Sequence, residues 1–363
     1  MTAVERNREL LVVDAAGAPR DLGRRHGETA RPLIAAGLDR WFAAIERRHR
    51  VPATAYIDQF LAETDFLPTI ETWTPELLEE IRGVAEGAGQ PLPTMLAFNL
   101  LDEEWAYAHD RARPAPGCSA VGIQPAPGRP TLLGQTMDIP QIHDGCQIAL
   151  RLAPDDRPAL VVLSYAGMIG LTGANEAGLG VVVNSLATLP VSRRGLPVAF
   201  VLRGVLAWTN LADAAAFVRS VPHAIGQHYG IGSPDGIRSF EGWGDGVVET
   251  TPDGPRVLHT NHPLGGQSEV GDRETIYAGS TTWVRLACLR RQAATLTDRI
   301  ALETALSDTS APISVAPRPG FMTFGATSMK LIAPPEIRIA PGPPHLTPFV
   351  DVPMPVRSAV AAD

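Results

Sequence analysis

Lysine is almost missing from this chain: Lys330 is the only one in 363 residues, and arginine supplies the rest of the basic charge. That bias reflects GC-rich coding and points to no function. Positive charge is also outweighed, with a net charge of −8 and a pI near 5.6. Such a balance speaks against nucleic acid or an anionic membrane surface as a partner. Cysteine is scarce too. Cys118, Cys146 and Cys288 are odd in number and far apart, which excludes a disulfide framework. No apolar run approaches the length of a membrane span. The first residues, MTAVERNRELLVVDAAG, carry charge where a secretory signal needs apolar residues, so a cytoplasmic location is expected.

Motifs for cofactors are missing as well. There is no P-loop and no GxGxxG after a strand. Gly232-Ser233-Pro234-Asp235-Gly236 places serine beside the first glycine, which is not a nucleophile elbow. His143 with Cys146, and His259 with His262, each offer two metal ligands where a structural zinc site needs four. Neither a metal nor a cofactor is expected.

What remains is apolar content of 45%, enough for a large core. Apolar positions at three- and four-residue steps predict a helix over Leu22–Arg48. A second is expected over Pro75–Ala88, with Thr74 as N-cap and Pro75 in the first turn, and a third over Pro93–His109. Beyond an Arg/Pro/Ala/Gly linker the texture changes to short strand-like runs: Ser119–Gln124, Thr131–Met137, Gln147–Leu152, Ala159–Ser164 and Gly180–Asn184. Helices at Pro197–Trp208 and Leu211–Val221 come next, then strands at Gln227–Gly232, Gly236–Glu241 and Val247–Thr250. A long helix over Thr282–Ser307 and strands at Phe321–Ile332 and Glu336–Ile339 complete the chain. Strands, then helices, then strands again imply an α+β sandwich.

Within PAPGCSAVG, Gly117 directly precedes Cys118. A cysteine freed at a chain terminus carries its own base, because an α-amine (pKa about 7.7–8.0) can take a proton from a thiol (about 8.5) at little cost. The same thiol can attack the Gly117 carbonyl, and glycine leaves that crowded step free of a side chain. These residues permit self-cleavage without requiring it. A buried structural thiol satisfies the same local sequence.

PGCSAVG, followed in order by LLGQTMDIP (Leu132–Pro140), NEAGLGVVVNSL (Asn175–Leu186), LHTNHPL (Leu258–Leu264) and STTWVRL (Ser280–Leu286), resembles the isopenicillin N acyltransferase family of N-terminal-nucleophile hydrolases. The match extends upstream to LGRRHGETARPLI (Leu22–Ile34) and covers most of the chain. The resemblance implies an Ntn-hydrolase αββα sandwich with a mostly helical N-terminal segment, 1–117. Self-cleavage would part that segment from the catalytic core, 118–363, the two remaining one globular unit.

By the same resemblance Cys118 is the nucleophile and its α-amine the base. Asp138 holds that amine, Asn261 and Asn184 stabilise the oxyanion, and Arg285 favours the thiolate. Any of Ser280, Thr281 and Thr282 could hold the family's accessory hydroxyl. Asn175 is expected to be structural, shaping a turn. Gln135-Thr136-Met137 departs from the family's positively charged variants, which puts carboxylate-bearing substrates in question. The implied partners are a small N-acyl or acyl-thioester substrate, the chain's own N-terminal segment and a second copy in a homo-oligomer. Two other readings stand beside this one: a conventional Cys/His hydrolase using His143 or His262, and a non-catalytic binding scaffold.

Overall fold

The structure, a computed structural model, describes residues 9–108, 117–266 and 279–356. It is built on two stacked sheets. The first strand, β1 (Leu11–Gly17), is followed by α1 (Pro19–Thr29), α2 (Arg31–His49), α3 (Ala53–Glu63), α4 (Leu67–Trp73), α5 (Pro75–Ala88), α6 (Leu92–Phe98) and α7 (Leu101–Tyr107). The N-terminal third is therefore mostly helical, as its sequence pattern implies.

Seven strands follow in two sheets: β2 (Ser119–Ile123), β3 (Thr131–Pro140), β4 (Gln147–Pro154), β5 (Leu160–Tyr165), β6 (Thr172–Asn175), β7 (Gly180–Ser185) and, after helices α8 (Val198–Val205) and α9 (Leu211–Ser220), β8 (Gln227–Ser233). Then come β9 (Gly236–Trp243), β10 (Gly246–Glu249), β11 (Arg256–His259), helices α10 (Thr282–Gln292) and α11 (Arg299–Leu306), β12 (Phe321–Leu331), β13 (Glu336–Ala340) and β14 (Val350–Asp351).

The larger sheet runs β1-β4-β5-β6-β7-β8-β9-β10 and the smaller β11-β2-β3-β12-β13-β14. Strands β2, β3 and β12 face β6, β7 and β8 across the interior. Helices α8 and α9 cover the outside of the larger sheet, and α10 and α11 the outside of the smaller. This is the α+β, αββα layering expected from the sequence. Pairing is antiparallel except between β1 and β4, so the N-terminal segment supplies an edge strand to the core sheet.

Three expected helices differ from those observed. The Leu22–Arg48 pattern splits at Ala30 into α1 and α2, because Pro32 has no N–H for the helical ladder and its ring crowds the preceding turn. Pro93–His109 divides at Asn99, whose amide donates to Met95 O and Gly167 O and accepts from Ile169 N. Thr282–Ser307 breaks before Asp298, which caps α11 by accepting from Ala301 N at 2.8 Å. Thr74 precedes α5 as expected, but its hydroxyl makes no cap bond.

The N-terminal segment is bonded into the core. Gly23 and Gly27 of α1 meet Gly83 and Gly87 of α5 so closely that a Cβ at Gly23 would lie 1.8 Å from Glu80 O and one at Gly83 would lie 2.0 Å from Arg20 O. Only glycine allows this approach. Glu80 on α5 then pairs with Arg203 on α8 through two hydrogen bonds of 2.8 and 2.7 Å, both side chains buried. Glu103 on α7 accepts from Val198 N at the start of α8, and Tyr165 donates to Phe98 O.

Candidate active site

Cys118 immediately precedes β2 and is 6% exposed. Its neighbour Ser119 pairs with Thr136 on β3, which brings the end of β3 alongside the thiol. The Asp138 N–H donates to Cys118 Sγ at 3.4 Å, and Met137 Sδ lies 3.6 Å from the same sulfur. Burial pushes the thiol up to about 12, Asp138 adding to the effect and Arg285 opposing it. This environment therefore favours the thiol over the thiolate.

Asp138 is itself buried and sits at about 7. Burial raises it, while hydrogen bonds from Thr323 and from the Gly117 backbone, together with Arg285, pull it down. The Thr323 hydroxyl donates to Asp138 Oδ1 at 2.6 Å, and β12 places it there by pairing Thr323 with Asp138. The carboxylate therefore already receives the amide of Gly117, one residue from the nitrogen that cleavage would release.

Arg285, in the first turn of α10, is fully buried. Its guanidinium donates to Cys118 O, to Ser119 Oγ at 3.0 Å, to Asn261 Oδ1 at 2.9 Å and to Thr281 Oγ1 at 3.0 Å. The group also lies against the backbone of Gly117, where a Cβ would come within 2.9 Å of Arg285 Cζ. A side chain at this position would strike a charge pinned by four bonds.

Asn261 accepts from Arg285 through Oδ1, which turns Nδ2 into the outward donor. One N–H goes to Ser185 O at 3.0 Å, and the backbone N–H is held by Thr282 Oγ1 at 2.8 Å. Asn184, next to Ser185 at the end of β7, binds His228 Nδ1 through Oδ1 at 2.7 Å, while its buried Nδ2 has no acceptor. Asn184 Nδ2 is thus left over among the described residues, whereas Asn261 Nδ2 already bonds Ser185 O. An unpaired buried donor costs free energy.

The three hydroxyls after Gly279 divide their work. Thr281 carries Arg285, Thr282 carries Asn261, and among the described residues Ser280 accepts from Thr282 N alone, at 3.3 Å. Asn175 is structural as expected, its amide donating to Leu206 O and Trp208 O and accepting from Ala177 N and Leu179 N. Gln135 turns inward and grips both backbone groups of Val183, so it holds the sheets together and lines neither of the two cavities described below.

Neither alternative histidine touches the thiol. His143 is buried against Tyr165 with its pKa lowered to about 3 by burial, and its ring nitrogens have no described partner. His262 Nδ1 sits 2.8 Å from Thr282 Oγ1. Among the described residues no group of three or more His, Cys, Asp or Glu is placed to hold a metal, and no helix is long and apolar enough to cross a membrane.

Cys118, Met137 and Asp138 line a small cavity of about 40 Å³. It adjoins a cleft of about 690 Å³ between the N-terminal helices and the sheets, with walls from α2, α7 and the loop after β7. Asp102, Trp105 and Ser185 belong to both spaces.

Residues 127–323 match the family described as acyl-coenzyme A:6-aminopenicillanic acid acyl-transferase. That stretch contains Asp138, Asn184, Asn261 and Arg285 but starts after Cys118. The chain is 28% identical over 257 residues to the 40 kDa form of acyl-coenzyme A:6-aminopenicillanic-acid-acyltransferase of Emericella nidulans, covering 70% of each. Among solved structures, a mutant conjugated bile acid hydrolase from Clostridium perfringens is 15% identical over 65% of this chain and 92% of its own, with a TM-score of 0.41. Penicillin V acylase from Agrobacterium tumefaciens is 15% identical over 61% and 82%, with a TM-score of 0.33.

Proposed function

The chain belongs to the acyl-coenzyme A:6-aminopenicillanic acid acyl-transferase family, and from that premise we propose that it is a self-cleaving, N-terminal-cysteine amidohydrolase or acyltransferase. The observation that carries this reading is that Cys118 and Asp138 line one cavity, with the Asp138 N–H on Cys118 Sγ, while Arg285 bonds both Cys118 O and Asn261.

Self-cleavage begins with Cys118 Sγ attacking the Gly117 carbonyl carbon. The C–N bond breaks, the nitrogen takes a proton and becomes the Cys118 α-amine, and Gly117 is left as a thioester on sulfur. Water then opens the thioester, releasing a Gly117 carboxylate and the thiol. In the cut enzyme the α-amine removes the thiol proton, and Asp138 stabilises the resulting ammonium. The sulfur attacks a substrate carbonyl, with Asn261 Nδ2 and Asn184 Nδ2 donating to the oxyanion. The ammonium gives its proton to the leaving group, and the acyl-thioester passes its acyl group to water or an amine. Arg285 offsets the negative charge on sulfur and holds Asn261 in its donor orientation.

A burst experiment tests the reading. With an activated acyl ester, the wild-type protein releases one equivalent of leaving group before steady turnover, and Cys118→Ala releases none. Turnover by Cys118→Ala at the wild-type rate would dismiss Cys118 as nucleophile.

A further inference from the structure

Asp102 and Trp105 stand three residues apart in α7 and so share a face. Both belong at once to the outer cleft and to the cavity holding Cys118. Among the described residues the Asp102 carboxylate accepts no hydrogen bond and joins no ion pair, although the neighbouring Glu103 and Glu104 are both engaged, by Val198 N and by Tyr56. Its position is costly for the chemistry. A negative charge here disfavours a thiolate at Cys118 and is itself penalised by burial, which holds the carboxyl up at about 6. A cation on the ligand offsets both, provided it reaches Asp102 past Arg40, Arg47 and Arg48, which line the outer cleft. A carboxylate beside an indole is a suitable receptor for one, through a charge-assisted hydrogen bond and the face of the ring.

We propose that Asp102 and Trp105 form a cation-reading gate, selecting reactants with a positively charged nitrogen within a few bonds of the carbonyl that Cys118 attacks or of the amine that accepts the acyl group. The proposal rests on the assignment of Cys118 as nucleophile for its catalytic meaning, but the binding it describes requires no turnover.

Two isosteric pairs separate the sources. Glycyl-p-nitroanilide against propionyl-p-nitroanilide places the charge in the acyl group, and ethylenediamine against propylamine, compared per unit of unprotonated reacting amine, places it in the acceptor. Equilibrium binding of the two anilides is measured on Cys118→Ala protein, and kcat/KM or acyl partition on the wild type. The cationic member of one pair is preferred. Asp102→Asn in either background lowers that preference about 10- to 100-fold, the range for a hydrogen bond to a charged group. Asp102→Glu retains part of it, which loss of folding would not allow.

An unchanged preference in Asp102→Asn, or no preference for the cationic member of either pair in binding, kcat/KM or acyl partition, would overturn the proposal. If the anilide preference persists in Cys118→Ala while hydrolysis also persists, the gate stands and the nucleophile assignment falls.

Discussion

Replacing Thr323 with valine removes the hydroxyl that donates to Asp138 Oδ1 at 2.6 Å while keeping the side chain's shape. A hydrogen bond to a charged group contributes about 1.5–3 kcal/mol, which at about 1.36 kcal/mol per pKa unit is about 1–2 units. Asp138 stands near 7 with that bond in place. Without it the ionised form is less favoured, and the pKa rises by that amount. The proposed chemistry needs the carboxylate, so activity falls as pH drops through this pKa. A raised value moves the acid limb of kcat/KM up by the same 1–2 units.

At pH 7, where half of the wild-type carboxyl is ionised, the variant loses about 5- to 50-fold in kcat/KM, and the deficit narrows as pH rises. Thr323 also accepts from Val315 N at 2.8 Å, so some stability is lost as well. Thr323→Ser restores both bonds and serves as the control. A uniform loss at every pH with an unmoved acid limb would refute the role given to this hydroxyl.

Four further outcomes are expected. Gly117→Val forces a side chain onto the Arg285 guanidinium, and a denaturing gel over time should show self-cleavage slowed at least about 10-fold, since such overlap costs about 1–3 kcal/mol. Arg285→Met strips Asn261, Ser119 and Cys118 O of their donor. Its kcat should fall about 10²–10³-fold, as for loss of an oxyanion donor, and Arg285→Lys should recover little because one ammonium cannot replace the planar fork. Glu80→Ala leaves Arg203 buried and unpaired, a change of about 3–5 kcal/mol to be read by chemical denaturation. Finally, iodoacetamide at pH 7.5 should alkylate Cys118 far more slowly in the uncut Gly117→Val chain than in cut enzyme, because burial holds the uncut thiol near 12. Equal rates would contradict that.

Much of the architecture was legible because local signals and packing agree. The helix over Pro75–Ala88 was bounded correctly at both ends, where Pro75 opens it and Gly89 closes it in the left-handed region (φ +68). The buried strands announced themselves as short apolar runs between turn residues. Breaks inside helices were not legible, because they depend on distant partners: Asn99 stops α6 by reaching Gly167 and Ile169.

The site divides in the same way. Cys118, Asp138, Asn261 and Arg285 lie in ordered motifs, and Arg285 does bond both Asn261 and the backbone of Cys118. Thr323 was missed because it is 185 residues from Asp138 and the two meet only where β12 pairs with β3. Gln135, singled out in the sequence only for the positive charge it lacks, is a clamp on Val183, since strand alternation gives a side chain's face only once the register is known. Asp102 carried no motif, and its interest comes from the cleft that α7 forms with the sheets.

The most direct test is mass spectrometry of purified, active protein together with reading of its N-terminal residues. The account predicts two tightly associated pieces, one ending at Gly117 and the other beginning Cys118-Ser119-Ala120-Val121. Full activity in a chain whose 117–118 bond is intact would contradict it, because the sulfur would then lack the amine that serves as its base.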